Sequence, residues 1–178
     1  SRETSAAIVE GFTIQNGSAE WGGGIYCYNS CPTITNCTIT GNTATSAGGG
    51  IYASVYNQTL TFTNLQITNN SAVSGGGIYC SVPSNLTITN CTIANNVVSQ
   101  GGGGGGIFCS TFSVTTVADC TLTDNSAGGY GGGVYCDDWS TLSITRCVVK
   151  NNVANRGGGF YSSDRSELTI IGCLIADN

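Results

Sequence analysis

The sequence contains no methionine and no histidine, and only two of its 178 residues are proline. Without histidine the chain lacks the one side chain that ordinarily titrates near neutral pH, the commonest general base and metal ligand. Charge is scarce as well: five basic and ten acidic residues give a net charge of −5. The 98 residues from Trp21 to Ala118 hold no Asp, Glu, Lys or Arg. Such a chain is a poor partner for nucleic acid, whose phosphates call for clustered cations. No apolar run approaches the roughly 18 residues of a membrane-spanning helix, so no membrane insertion is expected. No Cys-x-x-Cys pair is present, so the cysteines do not read as zinc ligands. No cofactor is expected. A chain opening on Ser1 without methionine reads as a mature or excised product.

What is abundant is glycine, 27 residues, and it recurs in register. A Gly-Gly-Gly-apolar-aromatic unit appears six times, with its apolar residue at Ile25, Ile51, Ile78, Ile107, Val134 and Phe160. A second unit, ending in an apolar residue two or three places before Asn, Asp or Gly, places that residue at Ile14, Ile39, Ile67, Ile93, Leu122, Val149 and Ile175. A period of 25 to 29 residues is the signature of a solenoid. Within each period three short stretches alternate apolar and polar residues, for example Ile78–Cys80, Leu86–Ile88 and Cys91–Ile93. Alternation at period two is strand logic. The expected fold is all-β: a single-stranded parallel β-helix of about six coils, three short strands per coil. Residues 1–17 read as a leader and partial first coil, residues 18–178 as six coils of the same domain.

These repeats resemble those of right-handed parallel β-helix proteins, in particular polymorphic outer-membrane-protein and adhesin-like secreted repeats. The resemblance rests on Gly76-Gly77-Ile78 with Ile93-Ala94-Asn95-Asn96 and their counterparts, and on the opening Gly11–Gly17. It extends from Val9 onward and implies the fold more than an activity, because the same superfold hosts adhesins and pectate-lyase-like enzymes. Polygalacturonase-type signatures use a histidine and clustered aspartates. Here the only adjacent carboxylates are Asp137 and Asp138, with Asp164 and Arg165 one coil on. The chain is therefore expected not to be an enzyme.

Ten cysteines point to an oxidising, extracellular setting. Their positions co-vary within coils: where Ala53 replaces the first, Leu65 replaces the second. This predicts within-coil disulfides Cys27–Cys37, Cys80–Cys91, Cys109–Cys120 and Cys136–Cys147, with bridging between coils as the competing scheme. Cys31 and Cys173 are left unpaired or intermolecular. Six Asn-x-Ser/Thr sites, Asn16, Asn36, Asn57, Asn69, Asn85 and Asn90, are expected to carry N-linked glycans over the uncharged coils.

Parity places Tyr26, Tyr52, Tyr79, Phe108, Tyr135 and Tyr161 outward in one column. Two outward rows follow on the next strand: Thr33, Thr61, Thr87, Thr116, Ser143 and Thr169, then Thr35, Thr63, Thr89, Ala118, Thr145 and Ile171. An extra residue within Ser113–Asp119 is expected to disturb that register. Asn42, Asn70, Asn96, Asn125, Asn152 and Asn178 are expected to stack as a ladder, left-handed geometry suiting that corner. These features predict an extracellular structural or adhesive protein of the cell surface, a fibre subunit whose partner is itself, by end-to-end stacking of coils, or other surface components. The alternative is a carbohydrate-binding module whose aromatic column contacts glycans; the third is an ice-binding protein using the threonine rows.

Overall fold

The computed structural model describes residues 7–99 and 101–178; Ser1–Ala6 of the expected leader lie outside the described residues. The chain winds as a β-helix in which every strand pairing is parallel. Among the described residues twenty-six strands form four sheets. One, the threonine sheet, runs through Ile8–Glu10, Thr33–Thr35, Thr59–Thr63, Asn85–Thr89, Val114–Ala118, Thr141–Thr145 and Glu167–Ile171. The second contains Thr13–Gln15, Thr38–Thr40, Gln66–Thr68, Thr92–Ala94, Thr121–Thr123, Val148–Lys150 and Leu174–Ala176. The aromatic sheet contains Ile25–Tyr28, Ile51–Ser54, Ile78–Ser81, Ile107–Cys109, Val134–Cys136 and Phe160–Ser162. These are the three strands read from the alternation.

Each coil adds a fourth strand, just before the glycines: Ser18–Trp21, Thr43–Ala47, Ser71–Ala72, Val97–Val98, Ser126–Tyr130 and Val153–Arg156. Its buried residues are small, Ala44, Ala72, Val98 and Ala127, so hydrophobic alternation there is faint. The threonine rows stay in register throughout, with Thr116 between Thr87 and Ser143, and Ala118 between Thr89 and Thr145. The disturbance expected at Ser113–Asp119 is absent, because Cys80 to Leu86 and Cys109 to Thr115 span equal lengths of chain.

The core is a narrow stack of like residues. Ile34, Phe62, Ile88, Val117 and Ile144 form one buried row, and Ile39, Ile67, Ile93, Leu122 and Val149 another. A coil must also turn corners, where backbone groups point inward without a strand partner. Buried polar groups need partners, and side chains stacked along the axis supply them. Asn96 is fully buried. Its Nδ2 donates to the Ile67 carbonyl (2.9 Å) and to Asn125 Oδ1 (3.0 Å). Its Oδ1 accepts from the backbone N–H and the Nδ2 of Asn70, both at 3.0 Å. The same pattern joins Asn42, Asn70, Asn125, Asn152 and Asn178, confirming the ladder.

Left-handed geometry, however, belongs to the residue before each ladder asparagine: Gly41, Asn69, Asn95, Asp124, Asn151 and Asp177 have φ between 53° and 64°. The triplet Gly75–Gly77 shows why three glycines are needed. Gly75 has φ +60°, and a Cβ on Gly76 or Gly77 would lie 2.6 Å from the carbonyl oxygen of Gly105 or Gly106 in the next coil. Cβ atoms do not approach carbonyl oxygens so closely, so any larger residue would prise the coils apart.

Asn96→Ala strands several buried donors and acceptors, each worth about 1–3 kcal/mol when left unmet. The variant is expected to lose about 3 kcal/mol or more in urea unfolding, whereas exposed Asn85→Ala should stay within about 0.5 kcal/mol. Equal, small effects from both would show that the ladder is dispensable.

Candidate functional site

The expected aromatic column forms on the outside of its sheet. Successive ring centroids are 5.2 Å apart for Tyr26–Tyr52, 5.3 Å for Tyr52–Tyr79, 5.1 Å for Tyr79–Phe108, 4.6 Å for Phe108–Tyr135 and 5.3 Å for Tyr135–Tyr161. Such spacing is that of stacked or edge-on pairs. The rings cover one another, so Phe108 is buried and Tyr52, Tyr79, Tyr135 and Tyr161 are half-buried. Trp21 and Tyr130, from the neighbouring sheet, lean on Tyr52 (5.2 Å) and Tyr161 (4.8 Å). Much of the expected contact surface is therefore spent within the column.

A second aromatic ridge was not foreseen. Tyr28, Tyr56, Phe112 and Trp139 lie at the corner between the aromatic and threonine sheets and are each about half or more exposed. Phe112 stacks on Trp139 at 6.3 Å, and the Arg165 guanidinium lies 4.7 Å from the Trp139 ring centre. Tyr28 ends the strand Ile25–Tyr28, whereas Tyr56, Phe112 and Trp139 sit in turns, each four residues after the column ring Tyr52, Phe108 or Tyr135, a spacing that was the signal in the sequence. Asp138, Trp139, Asp164 and Arg165 have φ of 52°, 59°, 46° and 61° and share a shallow cleft. Asp137 stands apart from that cleft, accepting a 2.6 Å hydrogen bond from Ser163 Oγ.

All ten cysteines are free thiols. The within-coil bridges Cys27–Cys37, Cys80–Cys91, Cys109–Cys120 and Cys136–Cys147 are not formed, and the geometry gives the reason. Cys80 and Cys91 stand at opposite ends of the strand Asn85–Thr89, whose five residues span about 13 Å or more. Disulfides need Cα atoms within about 7 Å. The cysteines stand instead in columns along the rod. Cys80, Cys109 and Cys136 are register neighbours in the aromatic sheet.

Cys91, Cys120, Cys147 and Cys173 line the next corner and act there as the asparagines act at theirs. The N–H of Cys91 donates to Cys120 Sγ (3.3 Å), that of Cys120 to Cys147 Sγ (3.4 Å) and that of Cys147 to Cys173 Sγ (3.3 Å). Each thiol in turn donates to the carbonyl two residues back, for example Cys120 to Ala118 at 3.0 Å. Cys173 is thus the end of a column. Cys31 belongs to a third corner and bonds Gln58 Oε1 at 2.7 Å; further along, buried Ser113 and Ser140 bond each other at 3.2 Å.

The six Asn-x-Ser/Thr asparagines Asn16, Asn36, Asn57, Asn69, Asn85 and Asn90 are all exposed. Five of them, all but Asn85, have φ between 52° and 58°. In the Asn-Cys-Thr sites at Asn36 and Asn90, a left-handed corner asparagine is followed by an inward cysteine and a strand threonine. The fold alone therefore generates these sequons.

The chain matches the family model described as right handed beta helix region over residues 2–145 and again over 105–178. No curated protein and no solved structure matches.

Burial pushes the thiol pKa of Cys27, with a further push from Cys31, up to about 12, and that of Cys136 up to about 11, from the ordinary 9.0. Above pH 9 the unfolded chain releases these protons while the folded chain keeps them, so folding stability is full below about pH 9 and falls as pH rises towards 12. Urea midpoints measured from pH 8 to 11 should decline accordingly. Thiol titration in denaturant without reductant should count ten; a Cys80–Cys91 cystine in peptide maps would restore the within-coil scheme.

Proposed function

Because the chain belongs to the right-handed β-helix family, whose fold supplies a rod and leaves any chemistry to what is grafted on it, we propose that it is a non-catalytic structural or adhesive rod of the cell surface or extracellular space. One observation carries this reading: the side chains that distinguish each coil are spent on the next coil along the axis. Asparagine, thiol and aromatic columns all run in that direction. Such a chain is suited to length and stiffness, with affinity for further coils. The strands Ile8–Glu10 and Thr13–Gln15 at one end, and Glu167–Ile171 and Leu174–Ala176 at the other, each have a hydrogen-bonded neighbour on one side only among the described residues. Further coils, from the same chain or a second copy, would extend the sheets there and make a fibre.

The uncharged faces of the coils between Trp21 and Ala118 support a second element of the proposal. A surface with so few charges disperses poorly in water, and glycans at the six exposed sequons would provide solvation. Carbohydrate binding stands as a second reading, favoured by the exposed ridge of Tyr28, Tyr56, Phe112 and Trp139.

Electron micrographs of the native full-length protein should show rods or fibres, and a glycan array should show no selective binding. Selective glycan capture that Trp139→Ala abolishes would replace the structural reading with the carbohydrate-binding one. Turnover of a polysaccharide would overturn both. Glycosidase treatment of native material should lower the intact mass; an unmodified native mass would remove the glycoprotein proposal and leave the rod unaffected.

A further inference from the structure

The repeat breaks its own pattern most strongly in one place. The interval from Ile78 to Ile107 is the longest, at 29 residues, and its extra length lies in the run Gly101–Gly106. Gly104–Gly106 are the usual triplet, with Gly104 at φ +69° as Gly75 is at +60°. Gly101–Gly103 are additional. The following coil sets Gly128 and Gly129 near the same level, where the strand register shifts between Ala127 and Tyr130. The coil after that contributes Asn155 and Arg156.

A recess of about 290 Å³ is lined by Gly101, Gly128, Gly129, Tyr130, Asn155 and Arg156, with open space where a side chain on Gly101 would stand. Departures from an otherwise consistent pattern are where function is expected to reside.

The chemistry of the recess is specific. The Arg156 guanidinium lies 5.5 Å from the Tyr130 ring centre. It has no carboxylate partner among the described residues, whereas Arg146 and Lys150 have Asp119 and Asp177. Asn155 donates one amide N–H to the Gly128 carbonyl at 2.5 Å, leaving its oxygen and second N–H for a ligand. A guanidinium fork matches a carboxylate in two parallel hydrogen bonds. The volume is at the small end for ligand pockets.

We propose that this recess binds a small organic carboxylate, the anionic group on the Arg156 fork and the body of the molecule against Tyr130. Asn155 supplies a further polar contact, and the glycine backbone admits the ligand without displacing a side chain.

The test is calorimetric titration of the full-length protein with benzoate and acetate as probes. Benzoate is expected to bind saturably and more tightly than acetate, because only benzoate reaches Tyr130. Arg156→Gln should weaken benzoate binding about tenfold or more, the worth of charged hydrogen bonds. Arg156→Lys, which keeps the charge and loses the fork, should also weaken it. Tyr130→Leu should reduce benzoate to the level of acetate. Arg165→Gln removes the other guanidinium that lies over a ring, at Trp139, and should leave binding unchanged. Two outcomes would overturn the proposal: no saturable binding by the unmodified protein, or equal losses from Arg156→Gln and Arg165→Gln, which would mean unspecific charge attraction. Arg156 is exposed, so its substitution decides the matter even if Tyr130→Leu fails to fold.

Discussion

No backbone group that a coil turns inward at its corners can be left without a partner, and the rest of the molecule follows from that constraint. Strands satisfy their own N–H and C=O groups by pairing with the coils before and after. At corners that pairing continues only in part, as from the Asn95 N–H to the Thr123 carbonyl, and some inward groups are left over. Buried side chains that both donate and accept close the gap, and they do so only if the same kind of group waits one coil away. Asparagine meets the requirement at one corner and thiols meet it at another. A chain built this way must repeat, because each rung is half of a bond whose other half lies about 27 residues further on.

The same constraint shapes the outside. A corner residue that must be left-handed is most readily glycine, asparagine or aspartate, and asparagine followed by an inward cysteine and a strand threonine reads as a sequon. Surface chemistry and corner geometry are thus entangled in Asn36 and Asn90. The rings on the aromatic sheet obey a related logic. Once one coil carries a tyrosine at that position, its neighbour gains most by carrying another.

The period, the parallel pairing and the asparagine ladder were legible in the sequence because each writes a strong residue type at a fixed interval. The fourth strand was not, since Ala44, Ala72 and Ala127 carry almost no hydrophobic contrast. The cysteines misled for an instructive reason. Ala53 and Leu65 interrupt two different columns within one coil, and that coincidence read as a contact between the columns. In the structure the strand Thr59–Thr63 separates them. Cys31 and Cys173 have no mate within a coil because each bonds along the axis, Cys31 to Gln58 and Cys173 to Cys147. The Arg156 recess was hidden for a third reason: it is made by glycines from two coils, the Tyr130 ring of the second and the side chains of Asn155 and Arg156 from a third, which no single repeat displays.

Leu65 has a mechanical consequence. Its N–H still donates to Cys91 Sγ at 3.3 Å, but its own side chain offers no acceptor to Cys37. One junction between neighbouring turns is therefore missing a rung that the later junctions possess. In a rod pulled along its axis, the bonds across one junction share the load in parallel, while the junctions themselves are in series. A serial array yields at its weakest member. The level of Leu65 thus carries one bond fewer in parallel at this corner than the levels of Cys91, Cys120 and Cys147.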